Sequence, residues 1–391
     1  MAPPRPLVDD ITAEILLRLP PDEPEHLFRA ALVCKAWLRI VCDPVFRRCY
    51  RDLHGAAPLL GFLHRLKVIQ GDPPSRFAST TSVPEFPHPG SDSRGTRPLD
   101  CRHGRVLVHM LQHRKGRPGY LVWDPVTGDR RSLPPEPKKM YWLTYSAAVL
   151  CAAHGCDHLD CHGGPFRVVF AATHQRKNVV RATVYSSETG AWSVPVRLDD
   201  DTCESYARHM RDPDAPFAPY YTPYLQPRRG TLVGDALYFT VRWRNAIVRY
   251  DLGKDRLSMI DPPWPARDMG SIALMAMEKG TSLGFACILG SRLCTWSKKQ
   301  EAAEWVQYRV IKLEKTILVD NPKDRPCVVG FAEGVGVIFV SSGVGLFTVK
   351  LNSGQVKKVD EPGEFFSVLP YMSFYTPDRG RLLSLARTPL I

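Results

Sequence analysis

The chain has 391 residues, of which 44% are hydrophobic and 24% are charged, and it contains 35 prolines and 28 glycines. These shares are ordinary for a folded protein and exclude a wholly disordered or fibrous chain. The length exceeds that of a typical single-core domain, so the sequence favours two domains or a small module attached to a large body. The many prolines and glycines favour a body of short strands and turns over a helical bundle.

The formal net charge of +12 lies entirely downstream of residue 55, because residues 1–55 hold eight basic and eight acidic side chains. A basic body permits an acidic partner or non-specific attraction to nucleic acid. The sequence carries neither a recognised nucleic-acid motif nor a clustered run of Lys and Arg. We therefore expect nucleic acid not to be a partner.

The sequence holds no apolar run long enough to span a bilayer, and Asp9 and Asp10 lie where a signal peptide needs apolar residues. We expect an intracellular protein, nuclear or cytoplasmic or both, with no membrane partner. The 11 cysteines follow no repeating framework, which is typical of free thiols in a reducing compartment.

The first 50 residues have the pattern of four short helices. Apolar positions from Asp9 to Leu19 recur at helical spacing, and Pro20-Pro21 ends that helix. Asp22 is the predicted N-cap of a second helix, whose predicted buried stripe is Leu27, Phe28, Ala31 and Leu32. A third helix is predicted over Lys35–Cys42, and Asp43-Pro44 begins a fourth. So small a module buries little apolar surface alone, and we expect its core to be completed against a partner.

Three segments of this module occur in a fixed order: Glu14-Ile-Leu-Leu-Arg-Leu-Pro20, Val33-Cys-Lys-Ala-Trp37 and Asp43-Pro-Val-Phe46. Together they resemble the F-box of plant proteins, particularly those of grasses. The resemblance covers residues 5–55, and Val8 departs from it because the family usually has proline after the first leucine. It implies an exposed apolar face that docks on a Skp-family adaptor and, through it, on a cullin.

The positions that match the adaptor contact, or lie directly beneath it, are Leu7, Ile11, Ile15, Leu19, Pro20, Leu27, Val33 and Trp37. An alternative role for several of them, notably Ile15 and Trp37, is in the core of the module itself.

After residue 55 the pattern changes to short alternating runs separated by Gly, Pro, Asn and Asp. Four segments share the order strand, polar turn, returning strand, and they are Tyr120–Asp129, Ala182–Ala191, Ala246–Asp255 and Gly345–Gly354. Their repeat-like spacing predicts the blades of a propeller. The body resembles the F-box-associated, kelch-type β-propeller-like domains of plants, with about six blades over residues 56–391.

Pairing of Leu59–Leu63 with carboxy-terminal strands around Tyr371–Leu385 is predicted to close the ring, and a β-sandwich is the competing architecture. The expected fold class is α+β multidomain, with a small all-α F-box followed by a mostly-β, propeller-like domain.

The sequence has no phosphate-binding loop, nucleophile elbow or His-Glu-x-x-His zinc helix, so we expect a non-catalytic protein without a cofactor. One short segment does concentrate residues that bind zinc, namely Cys151, His154, Cys156, His158, Cys161 and His162. It lacks two spaced Cys-x-x-Cys pairs and lies between the predicted strands Tyr145–Leu150 and Arg167–Phe170. A polar loop without metal is therefore favoured over a zinc site.

A proline-rich segment over residues 206–229 is predicted to be a long loop that either covers the ring or binds a partner. The candidate target-binding residues in and after it are Tyr220, Tyr221, Tyr224, Arg228, Arg229, Arg242 and Arg244. Tyrosine rings bury much area at low entropic cost, and arginine pairs well with carboxylate or phosphate. The alternative is that Arg242 and Arg244 merely form the solvent face of a strand.

The resemblance implies a substrate-recognition subunit of an SCF-type cullin-RING ubiquitin ligase, which holds an unknown target protein within reach of the ubiquitin-charged enzyme. Two alternatives stay open, both with an F-box outside a ligase: a ligand- or glycan-binding propeller protein, and a regulator associated with nucleic acid.

Overall fold

A computed structural model describes residues 9–66, 77–82, 86, 96–110, 119–136, 142–159, 161–174, 179–210, 223–241, 246–260, 272–298, 304–313, 317, 325–363 and 365–377. Within these ranges, no helix combines the length and the apolar character needed to cross a membrane.

The amino-terminal module consists of the helices α1 (Asp9–Leu17), α2 (Glu25–Val33), α3 (Lys35–Cys42) and α4 (Pro44–His54). The predicted bounds of α3 and the predicted start of α4 are confirmed. Asp43 caps α4, since its carboxylate accepts hydrogen bonds from the backbone N–H groups of Val45 and Phe46 at 2.7 and 3.3 Å. Gly55 ends the helix in a left-handed conformation and donates its N–H to the carbonyl of Arg51.

The start of α2 differs from the prediction. The helix begins at Glu25, and its N-cap is Pro24, which makes no side-chain capping bond. Asp22 lies before the cap, so its predicted capping role was wrong. Proline at this position sets the backbone angle that a helix needs and has no N–H group to satisfy, which explains why the helix starts here without a polar cap.

The rest of the described chain is built mainly of short antiparallel strands. In chain order they are β1 (Leu59–Leu66), β2 (Phe77–Ser79), β3 (Thr96–Arg102), β4 (Arg105–Met110), β5 (Gly119–Trp123), β6 (Arg130–Leu133), β7 (Trp142–Cys151), β8 (Phe166–His174), β9 (Val180–Ser186), β10 (Ala191–Trp192), β11 (Val196–Arg197), β12 (Thr231–Val233), β13 (Ala236–Thr240), β14 (Ile247–Asp251), β15 (Arg256–Ile260), β16 (Ala273–Met277), β17 (Ser282–Leu289), β18 (Arg292–Lys298), β19 (Trp305–Lys312), β20 (Cys327–Ala332), β21 (Val337–Ser342), β22 (Gly345–Lys350), β23 (Val356–Asp360) and β24 (Phe365–Met372). One helix that the sequence pattern did not predict, α5 (Asp200–Met210), follows β11, and a short 3-10 turn occupies Glu278–Gly280.

Among the described residues these strands form six antiparallel sheets. Four sheets are simple meanders of consecutive strands, β3 to β6, β12 to β15, β16 to β19 and β20 to β23. In the sheet that starts with β7, both β10 and β11 pair with β9. The first strands of neighbouring sheets contact one another, β3 with β7, β12 with β16 and β16 with β20. The body is therefore a six-bladed propeller, as predicted, rather than a sandwich.

The sixth blade joins the two ends of the body. Its strand order is β2-β1-β24, and β1 pairs with β24 so that Phe62 lies opposite Pro370 and Gly61 lies opposite Tyr371. Strand β24 in turn contacts β20 on one side and β3 on the other. The predicted closure of the ring by residues Leu59–Leu63 is confirmed.

The core lies between neighbouring blades, where the faces of adjacent sheets pack together. One cluster joins Val169 and Ala171 of β8 to Leu237 and Phe239 of β13. Five of the six blades bury one phenylalanine completely on the second strand of the sheet, and these are Phe62, Phe170, Phe239, Phe285 and Phe339. The repeat that the sequence shows in its turns is thus matched by a repeat in its core.

The helical module packs directly on the closing blade. Phe374, two residues after β24, belongs to the same buried cluster as Leu27 and Tyr50 of the module. The next ring, Tyr375, stacks on Phe28 with 5.0 Å between ring centroids. The module therefore completes part of its core against its own propeller.

Close approach of two blades requires glycine at residue 330. A Cβ atom added to Gly330 in β20 would lie 2.7 Å from the carbonyl oxygen of Val368 in β24. We predict that Gly330→Ala destabilises the protein by about 1–3 kcal/mol, because the backbone of one blade has to move. Thermal unfolding measures the effect. Gly253→Ala is the control, since its Cβ would meet only Asp251 Oδ1 at 3.6 Å, and equal melting temperatures for the two variants would contradict the prediction.

Candidate adaptor-binding face and ring interior

The first candidate site is the apolar surface of the helical module. Ile11 and Ile15 lie one turn apart on α1 and are 52% and 50% exposed, whereas Leu16 is buried. At the end of α2, Leu32 and Val33 are 75% and 62% exposed. The exposed apolar residues of the module thus include two pairs, one on α1 and one at the end of α2, and exposed apolar side chains of this size are typical of protein-binding surfaces.

The predicted adaptor residues fall into two groups. Ile11, Ile15, Pro20 and Val33 are exposed, whereas Leu27 is buried and Leu19 and Trp37 pack partly buried against the core of the module. Leu7 lies outside the described residues. The exposed side chains are available to a partner, and the buried ones support the face from beneath.

Sequence reasoning missed Leu32 as a surface residue, because the spacing of apolar residues in α2 placed it on the buried stripe with Leu27 and Ala31. Each helical residue turns the chain by about 100°, so Leu32 lies about 140° around the helix from Leu27. The observed stripe is formed by Leu27, Ala30 and Ala31 instead. That angle is the signal that could have placed Leu32 on the surface.

The orientation of α1 is held by two bonds from α4. The hydroxyl of Tyr50 donates to the carbonyl of Leu19 at 2.8 Å, and Nε2 of His54 lies 3.0 Å from the carbonyl of Leu17. Burial, with a smaller contribution from Asp22, raises the pKa of Tyr50 well above its ordinary value, so the phenol stays protonated as a donor. Both hydrogen bonds hold the carboxy-terminal end of α1, the helix on which Ile11 and Ile15 lie.

The second candidate site is the inner ring of the propeller, where a network of buried charges connects several blades. Asp100 on β3 has no exposed surface, and its carboxylate accepts from Nε of Arg229 at 2.9 Å and from Nη1 of Arg102 at 3.2 Å. It also accepts the backbone N–H of Val149 in β7 at 2.9 Å. Arg229 extends the network through its Nη1, which donates to Glu333 at 3.1 Å.

The protonation of this network follows from its partners. Burial by itself lowers the pKa of Arg229, but Glu333 and Asp100 outweigh that effect and raise the pKa above its ordinary value. The guanidinium therefore stays charged, and its charge is matched by carboxylates of the same chain.

Two of the predicted target-binding residues lie in this interior. Arg228 donates from Nη1 to the carbonyl of Ile272 at 2.8 Å, and Arg229 bonds as described above. Both line a cavity of about 30 Å³ between inner strands, which has room for about one or two water molecules. Tyr224 is partly buried, and Tyr220, Tyr221, Arg242 and Arg244 lie outside the described residues. The role of these seven residues in target binding stays a prediction.

Comparison with known proteins assigns both parts of the chain to known domain families. Residues 98–378 match the family model described as "F-box protein AT5G49610-like, beta-propeller", and residues 9–52 match the model described as "F-box-like". The first match alone spans well over half of the chain. The chain belongs to this family of F-box β-propeller proteins. The predicted plant-type F-box protein with a propeller behind the F-box is confirmed.

A curated relative is "F-box protein At5g03970" of Arabidopsis thaliana, which is 28% identical over 201 residues. The match covers 47% of this chain and 44% of that protein, so the chain spans less than half the length of the relative. Among solved structures, TolB from Acinetobacter baumannii has 13% identity and a TM-score of 0.42, covering 86% of this chain and 71% of TolB. A chain of the nidogen/laminin complex has 10% identity and a TM-score of 0.44, covering 80% and 98%. These structural likenesses are too distant to indicate what the F-box protein binds.

The buried network gives a prediction for stability. We expect Asp100→Asn to destabilise the F-box protein by about 3–5 kcal/mol, because it leaves buried guanidinium groups without their opposite charge. Asp200→Asn is the matched control, since Asp200 pairs with Arg197 at 3.1 Å where both side chains are more than half exposed. Denaturant unfolding of the two variants compares them. A loss no larger for Asp100→Asn than for the control would contradict a stabilising role of the network.

Proposed function

We propose that this F-box protein is the substrate-recognition subunit of an SCF-type cullin-RING ubiquitin ligase. Its F-box binds a Skp-family adaptor, and its propeller holds a target protein for ubiquitination. The observation that carries the proposal is the exposed apolar face of the helical module.

The module does not need this face for its own core. Leu27, Val41 and Tyr50 are at most 1% exposed, and the remaining gap is filled by Phe374 from the propeller. Leu32 and Val33 nevertheless stay open to solvent. Covering such side chains with the apolar surface of a partner releases free energy of about 25 cal/mol per Å² buried, which is the main gain in protein association.

The proposed role of the chain is to position and not to catalyse. The F-box and the propeller are joined by the short link between α4 and β1 and by the packing of Phe374 and Tyr375 on the module. A target on the propeller would thus be held at a defined distance from the adaptor, which raises the effective concentration of its lysines at the ubiquitin-charged enzyme. The covalent chemistry belongs to other subunits of the complex.

Adaptor binding is tested best with the exposed residues. We predict that Ile15→Asp combined with Val33→Asp weakens binding of a purified Skp-family adaptor at least about 100-fold, because a charge without a partner at an apolar interface costs several kcal/mol. Calorimetric titration of the full chain measures the change. Leu19 and Trp37 are less suitable, since they also pack on the core of the module.

The control for this experiment is Val194→Asp, which changes an 84% exposed valine on the propeller. We expect it to leave adaptor affinity and melting temperature unchanged. Undiminished adaptor affinity of the double variant, at an unchanged melting temperature, would show that this face is not the docking site.

The target is proposed to bind at a loop face of the propeller through Tyr220, Tyr221 and Tyr224. Target proteins are those that are proximity-labelled by this chain and whose half-life depends on it. We predict that changing these tyrosines to alanine abolishes that labelling and that effect on half-life, while adaptor binding and melting temperature stay the same. Arg228→Gln and Arg229→Gln, made separately, are expected to lower the melting temperature, because both side chains bond within the ring. Unchanged labelling by the tyrosine variant would exclude this surface.

A further inference from the structure

Four potential metal ligands converge in the loop between β7 and β8. They are Cys151, Cys156, His158 and Cys161, and their donor atoms all lie within 4.8 Å of one another. The Sγ atoms of Cys156 and Cys161 are 3.5 Å apart, and Sγ of Cys161 lies 3.6 Å from Nδ1 of His158. These residues come from the end of one strand and from successive turns of the loop, so the fold brings them together.

The spacing of these atoms fits a tetrahedral ion. Zinc binds thiolate at about 2.3 Å and imidazole at about 2.0–2.1 Å, so the edges of its tetrahedron measure about 3.8 Å between two sulfurs and about 3.6 Å between sulfur and nitrogen. We propose that Cys151, Cys156, His158 and Cys161 bind one structural zinc ion. Three thiolates and one imidazole fill all four positions, which is typical of a structural site and leaves no open position for catalysis.

Neighbouring residues orient these ligands. Nδ1 of His103 accepts the backbone N–H of Cys151 at 3.1 Å, and its ring stacks on His158 with 4.1 Å between centroids. One side chain therefore positions two of the four ligands. Arg105 donates to the carbonyls of Cys161 and Gly164, which holds the far side of the loop. Contacts of this kind, which fix the orientation of metal ligands, are a general feature of metal sites.

The two stacked histidines have uncommon backbone conformations. His158, in this loop, has a φ of 62°, and His103, in the turn between β3 and β4, has a φ of 52°. Residues with a side chain rarely adopt this conformation, and it persists where surrounding structure imposes it, often at functional sites. In this conformation the ring of His158 stacks on His103, and its Nδ1 lies 3.6 Å from Sγ of Cys161.

The two other candidate ligands of the segment do not join the cluster. Nδ1 of His162 bonds to the carboxylate of Asp124 instead. His154 and His158 are both exposed, but only His158 places a ring nitrogen among the converging donor atoms. A sequence pattern without paired Cys-x-x-Cys units favoured a loop without metal. The ligand set seen in the fold has the spacing Cys-x4-Cys-x-His-x2-Cys, and it is this convergence that reverses our expectation.

A disulfide between Cys156 and Cys161 is the main competing arrangement. The two sulfurs are free thiols 3.5 Å apart, well beyond the bond length of about 2.05 Å. A disulfide would also leave Cys151 and His158 without a role, whereas zinc uses all four donors. In a reducing compartment the metal-bound form is the more stable one.

The position of the loop indicates what the metal would stabilise. Leu159 lies between the ligands His158 and Cys161 and packs against the core cluster of the F-box. A zinc ion would hold this leucine in place and so support the contact between propeller and F-box. Structural zinc contributes its binding energy to folding, and removal of the ion is therefore expected to lower stability.

The test is elemental analysis of the full chain, purified without added metal. We expect about one zinc per chain, which is lost in Cys156→Ser combined with Cys161→Ser and retained in His154→Ala. His154→Ala is the control, because His154 lies in the same loop but is not one of the four proposed ligands. Replacement by cobalt is expected to give the visible absorption of a tetrahedral thiolate site.

A second measurement keeps the test decisive if the double variant does not fold. Zinc is removed from the wild-type chain with a chelator, and the melting temperature is expected to fall and to recover when zinc is added back. Native mass spectrometry separates the arrangements. A metal-free chain, whether it has three free thiols at these positions or a disulfide between Cys156 and Cys161, would overturn the proposal.

Discussion

The antiparallel pairing of β1 with β24 is the contact on which the rest of the structure depends. It joins the first and last strands of the propeller, and β24 contacts β20 on one side and β3 on the other, so this blade completes the ring. Closing so long a segment of chain is costly in entropy, and the full set of contacts between blades must offset that cost. Because α4 leads into β1 within a few residues, closure of the ring also sets the direction of the F-box.

Charged groups from different parts of the chain pair in the interior of the closed ring. Asp100 has no exposed surface, and a buried carboxylate is tolerated only when hydrogen bonds and opposite charge surround it. Arg102 and Arg229 supply that charge, and Glu333 balances the excess. Such a network adds little net stability compared with apolar packing, but we infer that it makes a shifted arrangement of blades costly. Arg229 also lines a small cavity of about 30 Å³.

The F-box is held against the propeller by two separate parts of the chain. Phe374 and Tyr375 reach it from the closing blade, and Leu159 of the loop between β7 and β8 packs against the same buried cluster. A receptor that acts by positioning needs such a junction, because free rotation between its domains would lower the effective concentration of the target at the enzyme. The proposed zinc ion and the proposed ligase role therefore place the same physical demand on this junction, although each is tested by a separate experiment.

Local patterns in the sequence predicted the helices of the F-box, apart from the start of α2, and the hairpins of the blades, because caps, turns and alternation act over a few residues. The closing role of Leu59–Leu63 followed instead from the propeller architecture, in which the two ends of the ring have to be joined. Contacts between distant residues were not accessible in this way. Arg229 and Asp100 are 129 positions apart, and no local pattern shows that they meet. His158, which converges with three cysteines, likewise stacks on His103 from the distant turn between β3 and β4. The tertiary structure decided these features, because packing between blades, and not periodicity along one segment, determines which side chains become neighbours.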